Sequence, residues 1–107
     1  MRWSPALPPR PGCPHRRLRR LLARTMAPTL TIGASTFRPW ASANFVGARH
    51  VFPCAVAADD HDSARATLQA ELTAAEWTLP GHIVADVAVE HSDDALTLKI
   101  EILTVED

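Results

Sequence analysis

Residues 83–102 read IVADVAVEHSDDALTLKIEI, and this stretch decides the fold. Ile83, Ala85, Val87 and Val89 alternate with Val84, Asp86, Ala88 and Glu90, the period of a strand with one buried face. Past the turn signal Ser92-Asp93-Asp94, Leu96, Leu98, Ile100 and Ile102 alternate in the same way with Thr97, Lys99 and Glu101. Two such runs joined by a short polar loop predict an antiparallel hairpin whose apolar face needs cover.

The cover stands immediately upstream. Asp59, Asp60, Asp62 and Ser63 supply capping oxygens and negative charge for the start of a helix. Ala64, Leu68, Leu72 and Ala75 then recur at helical spacing, with Arg65, Gln69, Glu71 and Glu76 largely elsewhere. The helix is expected to reach about Trp77, and Pro80-Gly81 to turn the chain into the first strand of the hairpin. Stripe and sheet face are natural partners, because each Å² of apolar area left in water costs roughly 25 cal/mol.

Before the helix, His50 to Ala58 reads as a strand with Phe52, Cys54 and Val56 on one side, and Pro53 confines it to an edge or a bulge. Thr29 to Phe37 is a weaker strand signal, interrupted by Gly33, and Pro39 to Gly47 reads as a loop. The expected fold is α+β: a small antiparallel sheet in the order β-β-α-β-β with one helix packed on one face, spanning residues 29–107 as a single domain. The βαββ portion resembles part of a ferredoxin-like sandwich, a likeness of fold over about half the chain that implies no activity. One helix leaves the second sheet face bare. Val84, Ala88 and Leu103 fall there, and with Trp40 and Phe45, whose simpler expected role is to close the end of the core, they form a candidate interface for a protein partner or a second copy.

The charge is divided. Every one of the twelve acids lies at or after Asp59, whereas Arg2, Arg10, Arg16, Arg17, Arg19, Arg20, Arg24, Arg38 and Arg49 precede it. Residues 1–28 are accordingly expected to be a separate, disordered, Pro/Arg-rich basic segment, within which Arg16 to Arg24 has the pattern of about two helical turns. Leu18, Leu21 and Leu22 would share one side of those turns and Arg16, Arg20 and Arg24 the other. Several origins suit such a segment: an upstream extension of a reading frame that starts at Met26, an organelle-targeting segment, a nucleic-acid-binding arm, or a tail for an acidic surface. The nucleic-acid reading uses Arg16, Arg17, Arg19, Arg20 and Arg24 with Arg38 and Arg49, and it requires residues 1–25. From Met26 onward, Arg38, Arg49, Arg65 and Lys99 face the twelve acids, a balance that repels phosphate backbones.

An apolar fraction of 47% supports one small core. Spanning a membrane needs an apolar run of about 20 residues, and none is present. Cys13 and Cys54 have neither metal-ligand nor disulfide-framework spacing, so a reducing cytoplasm is the expected compartment.

The search for chemistry yields no catalytic, cofactor or metal set. His50 and Cys54 stand about 13 Å apart along a strand, as do successive members of the His82, Asp86 and Glu90 series, which is expected to share one face. Asp59-Asp60-His61-Asp62 reads as helix initiation, and Gly33-Ala34-Ser35-Thr36-Phe37 lacks the second glycine of a nucleophile elbow. The expectation is a small, acidic, non-enzymatic module that binds another protein or itself, as a homodimer in the simplest form. The alternatives are nucleic-acid association through the arginine arm and an oligomeric enzyme sharing a site from His50, His82 or Asp86 between subunits.

Overall fold

The computed structural model describes residues 13–25, 30–57, 60–93 and 97–107. The elements are α1 (His15–Thr25), β1 (Leu30–Ile32), β2 (Thr36–Ala41), β3 (Val46–Val56), α2 (His61–Ala74), β4 (His82–His91) and β5 (Thr97–Glu106). All strand pairings are antiparallel, in the order β1-β3-β5-β4, with β2 also on β3. This is the expected α+β class with an antiparallel sheet, to which the structure adds a second helix and a fifth strand. The expectation of disorder over residues 1–12 lies outside the described residues. No helix among those described is long and apolar enough to cross a membrane.

The core lies on one face of the sheet. Phe52, Cys54, Leu98, Ile100, Ile102 and Val89 from three neighbouring strands are buried together with Leu68 and Leu72 of α2. Asp60 caps α2, its carboxylate accepting from the Ser63 N–H at 3.0 Å, and the helix ends at Ala74, one turn short of Trp77. Leu79 to His82 then close a turn in which Gly81 takes φ 76°, the left-handed position that the Pro-Gly pair prepares.

The second helix comes from the segment that charge assigns to a separate tail. Leu18 and Leu22 of α1 are fully buried in the same core, so α1, which the division at residue 28 leaves outside, packs with residues 29–107. A helix of 11 residues is marginal alone, and burying two leucines against a sheet supplies what propensity does not. Hydrogen bonds fix both helix flanks. Arg17 Nε donates to the Thr78 carbonyl at 2.9 Å, and Arg19 donates to the carbonyls of Gly33 at 2.8 Å and Ile32 at 3.3 Å.

Pro53 explains why Arg19 is needed there. β3 is an internal strand, with β5 on one side and β1 and β2 in succession on the other. The Pro53 carbonyl accepts from the Gly33 N–H at 2.8 Å, but proline has no N–H to return, and the Gly33 carbonyl goes to Arg19 instead. Between Ile32, opposite Cys54, and Thr36, opposite Val51, three residues face two. Proline is therefore tolerated inside the sheet because the neighbouring strand breaks at Gly33–Ser35. The expected loop from Pro39 is strand as far as Ala41, held by the continuing β3 ladder.

A second bulge corrects the facing of β4. Val84 pairs with Thr104 and Asp86 with Leu103, so Ala85 is the extra residue and the alternation inverts there. Val84 consequently packs against the core rather than on the bare face, whereas Ile83, expected inside, is 53% exposed. His82 likewise shares the helix-covered side with Val84, while Asp86 and Glu90 share the other, so the three do not form one row.

The outer edge of β4 is closed by α2. Gln69 accepts from the Val89 N–H at 2.7 Å and donates to the Val87 carbonyl at 2.9 Å, satisfying two edge groups as a neighbouring strand would. Arg65 adds a bond to the Val89 carbonyl at 3.2 Å.

Candidate functional site

Two features stand out: a polar chain buried beneath α1, and the uncovered face of the sheet. The polar chain begins at the N-terminal end of α1. His15 Nδ1 lies 2.9 Å from His50 Nδ1, His15 Nε2 lies 2.8 Å from Ser35 Oγ, and His50 Nε2 lies 2.9 Å from Thr104 Oγ1. Thr104 donates to the Ala48 carbonyl at 3.3 Å, and Arg19 donates to Ser35 Oγ at 3.0 Å.

One proton order satisfies all of these contacts. With the Thr104 hydroxyl donating to the Ala48 carbonyl, its oxygen accepts and His50 Nε2 carries hydrogen. His50 Nδ1 is then an acceptor, and His15 Nδ1–H donates to it. His15 Nε2 is left bare, facing the Ser35 hydroxyl, which accepts from Arg19 and donates to His15. The chain runs in one direction from guanidinium to serine, histidine, histidine, threonine and carbonyl.

Both imidazoles are held neutral. Burial, with the adjacent charges of His15 and His82 when protonated, lowers His50 from 6.5 to about 4. Burial and then the Arg19 guanidinium lower His15. A shared Nδ1···Nδ1 contact of 2.9 Å holds one hydrogen at a time, which reinforces the same preference. Aromatic packing fixes the rings: His15 stacks on Phe52 with centroids 4.9 Å apart and planes 8° apart, and the Phe37 ring lies 5.0 Å away, tilted by 38°. His50 and Thr104 are fully buried, whereas His15 and Ser35 are partly open to solvent.

The uncovered face reads in rows across β2, β3, β5 and β4. One row is Trp40, Gly47, Val105 and Ile83; the next is Arg38, Arg49, Leu103 and Asp86; the third is Thr36, Val51, Glu101 and Ala88. Gly47 is required by the first row, since a Cβ there would stand 1.9 Å from the Thr104 carbonyl oxygen and 2.9 Å from the Trp40 ring. Trp40 Nε1 is buried without a hydrogen-bond partner among the described residues. A depression of about 480 Å³ runs along β2, lined by Phe37, Arg38, Trp40, Arg49 and Val51 among others. Arg49 pairs with Glu101 at 3.1 Å, but Arg38 and Asp86, at opposite ends of the second row, have no ion-pair partner among the described residues.

Of the expected interface residues, Trp40, Ala88 and Leu103 share this face, Val84 is on the other, and Phe45 projects from the β2–β3 turn at 57% exposure. The cations of the nucleic-acid reading are divided. Arg16, Arg20 and Arg24 line the exposed side of α1, Arg17 and Arg19 are engaged by backbone carbonyls, and Arg38 and Arg49 belong to the opposite sheet face. His50, His82 and Asp86 are divided as well, with Asp86 on the bare face and the two histidines on the covered one. No group of three or more His, Cys, Asp and Glu side chains able to hold a metal exists among the described residues. Cys54 is buried, and burial pushes its thiol up, away from the reactive thiolate.

Sequence reasoning missed the His15–Ser35 and His15–His50 contacts, which join positions 20 and 35 residues apart. The only local trace is the small-residue break Gly33-Ala34-Ser35 beside two histidines in helical and strand settings. Comparison with protein families, with curated proteins and with solved structures finds no match to this chain.

Proposed function

We propose that the protein is a self-associating module that forms a two-fold dimer by packing the bare face of its sheet against the same face of a second copy. The observation carrying this reading is the polarity of the rows. A two-fold axis parallel to the strands, between β3 and β5, places β2 of one copy over β4 of the other. Arg38, unpaired at one end of its row, then meets the partner's Asp86, unpaired at the other end, and the exposed Ile83 meets the Trp40 depression. Each contact occurs twice. An aromatic anchor, a protruding aliphatic and a desolvated charge pair are the ingredients of a specific interface. The four-strand span is symmetric about the axis, so no strand is left unopposed.

The test is the oligomeric state across a dilution series by sedimentation equilibrium. Arg38→Asp and Asp86→Arg, each alone, place like charges opposite one another and are expected to weaken the dimer at least about tenfold. The double exchange restores it. A monomer at all concentrations, or single exchanges without effect, would refute this mode of association.

A further inference from the structure

We infer that Ser35 is a nucleophile with His15 as its general base, forming a serine-histidine site for hydrolysing small activated acyl esters. The hydroxyl needs a base within hydrogen-bond reach, in the correct tautomer and held there by a third group. The geometry meets them: Ser35 Oγ lies 2.8 Å from His15 Nε2 and His15 Nδ1 lies 2.9 Å from His50 Nδ1, and in the proton order above the hydroxyl donates to His15 and His15 Nδ1–H to His50. His50 is the positioning residue, and Thr104 holds it through its Nε2–H at 2.9 Å. The arrangement reproduces the roles of a nucleophile, base and orienting acceptor, with a neutral imidazole in the third place.

The surroundings fit the chemistry. Ser35 occupies the break between β1 and β2, next to Gly33 and Ala34, and is partly open to solvent. The Phe37 ring, 47% exposed and 5.0 Å from the His15 ring, offers an apolar seat for an acyl or aryl group beside the base. Arg19 is the nearest fixed positive charge. Its Nη1 is 3.0 Å from Ser35 Oγ, within reach of an oxyanion developing on a carbon bonded to that oxygen.

Attack forms the Oγ–carbon bond as the hydroxyl proton passes to His15 Nε2. Collapse of the tetrahedral oxyanion breaks the bond to the leaving oxygen, which takes the proton from His15 and departs as the alcohol. Water then attacks the acyl-serine, gives a proton to His15 Nε2, and releases the carboxylic acid as that proton returns to Ser35. Neither a metal nor a redox partner enters the balance.

The test uses the full chain with p-nitrophenyl acetate as substrate and a fluorophosphonate as covalent probe. The expected results are turnover above the imidazole background and a phosphonyl adduct on the peptide carrying Ser35. Ser35→Ala, a change at a partly exposed break that leaves the core intact, is expected to remove the adduct and lower kcat/KM about 100-fold, the range of a lost general-base pair. His50→Phe keeps an aromatic ring at this position and removes both nitrogens, and is expected to lower kcat while KM holds. Absence of the adduct from wild type, or hydrolysis by Ser35→Ala at the wild-type rate, overturns the inference.

Discussion

Replacing His50 with Phe should turn a destabilising substitution into a neutral or stabilising one as the pH falls. His50 is 0% exposed, and in the folded state its proton affinity is lowered from 6.5 to about 4, first by burial and then by the neighbouring His15 and His82. The unfolded chain takes up that proton below about pH 6.5, and the folded chain does not until about pH 4. Folding therefore loses stability across this window as acid is added, and the contribution is fully present above it. The full difference corresponds to about 3 kcal/mol, accumulating at up to about 1.4 kcal/mol per pH unit. His15, lowered by burial and Arg19, acts in the same direction and adds to the loss. At neutral pH the Phe variant forfeits the bonds to His15 and Thr104 at a cost of about 1–3 kcal/mol. That deficit should vanish near pH 4, because Phe has nothing to protonate. The assay is urea unfolding of both proteins from pH 7.5 to pH 4, taking the difference between them so that surface carboxylates cancel. A difference constant with pH would show that His50 is not held neutral by its surroundings and would undo the proton assignment of the buried chain.

Other substitutions probe the remaining structure. Leu22→Ala on α1 should cost about 2–5 kcal/mol by thermal or urea unfolding, the cost of a core truncation, whereas a detached tail would show no change. Gly47→Ala should destabilise by more than about 2 kcal/mol and disturb Trp40 fluorescence, because the new methyl overlaps the Thr104 carbonyl and the indole. Gln69→Leu keeps the volume but uncovers two edge groups of β4; light scattering should report aggregation at concentrations where wild type stays clear.

The hairpin at the end of the chain, the strand carrying Phe52 and Cys54, the capped helix with Leu68 and Leu72, and the Pro80-Gly81 turn are legible in the sequence. Each rests on a period or a turn preference contained in no more than about 20 consecutive residues. The leucine side of α1 is legible too, but its destination is not. Charge is a property of the surface, and a helix whose exposed side carries Arg16, Arg20 and Arg24 looks the same in sequence whether its leucines are buried or not.

What only the tertiary structure decided lies where one element answers another. The bulge at Ala85 inverts Ile83 and Val84 because the β4 ladder must accommodate one extra residue against β5, which no alternation within β4 can reveal. Pro53 enters an internal strand because the facing strand breaks and Arg19 takes the orphaned carbonyl. His15, Ser35 and His50 read separately as a tail residue and residues of two strands, and with Thr104 they become one hydrogen-bonded chain when α1 closes over the sheet. Local sequence sets backbone preference and the side on which apolar atoms fall. The meeting of polar atoms distant in the chain depends on register and on which helix covers which strands, and those are properties of the folded whole.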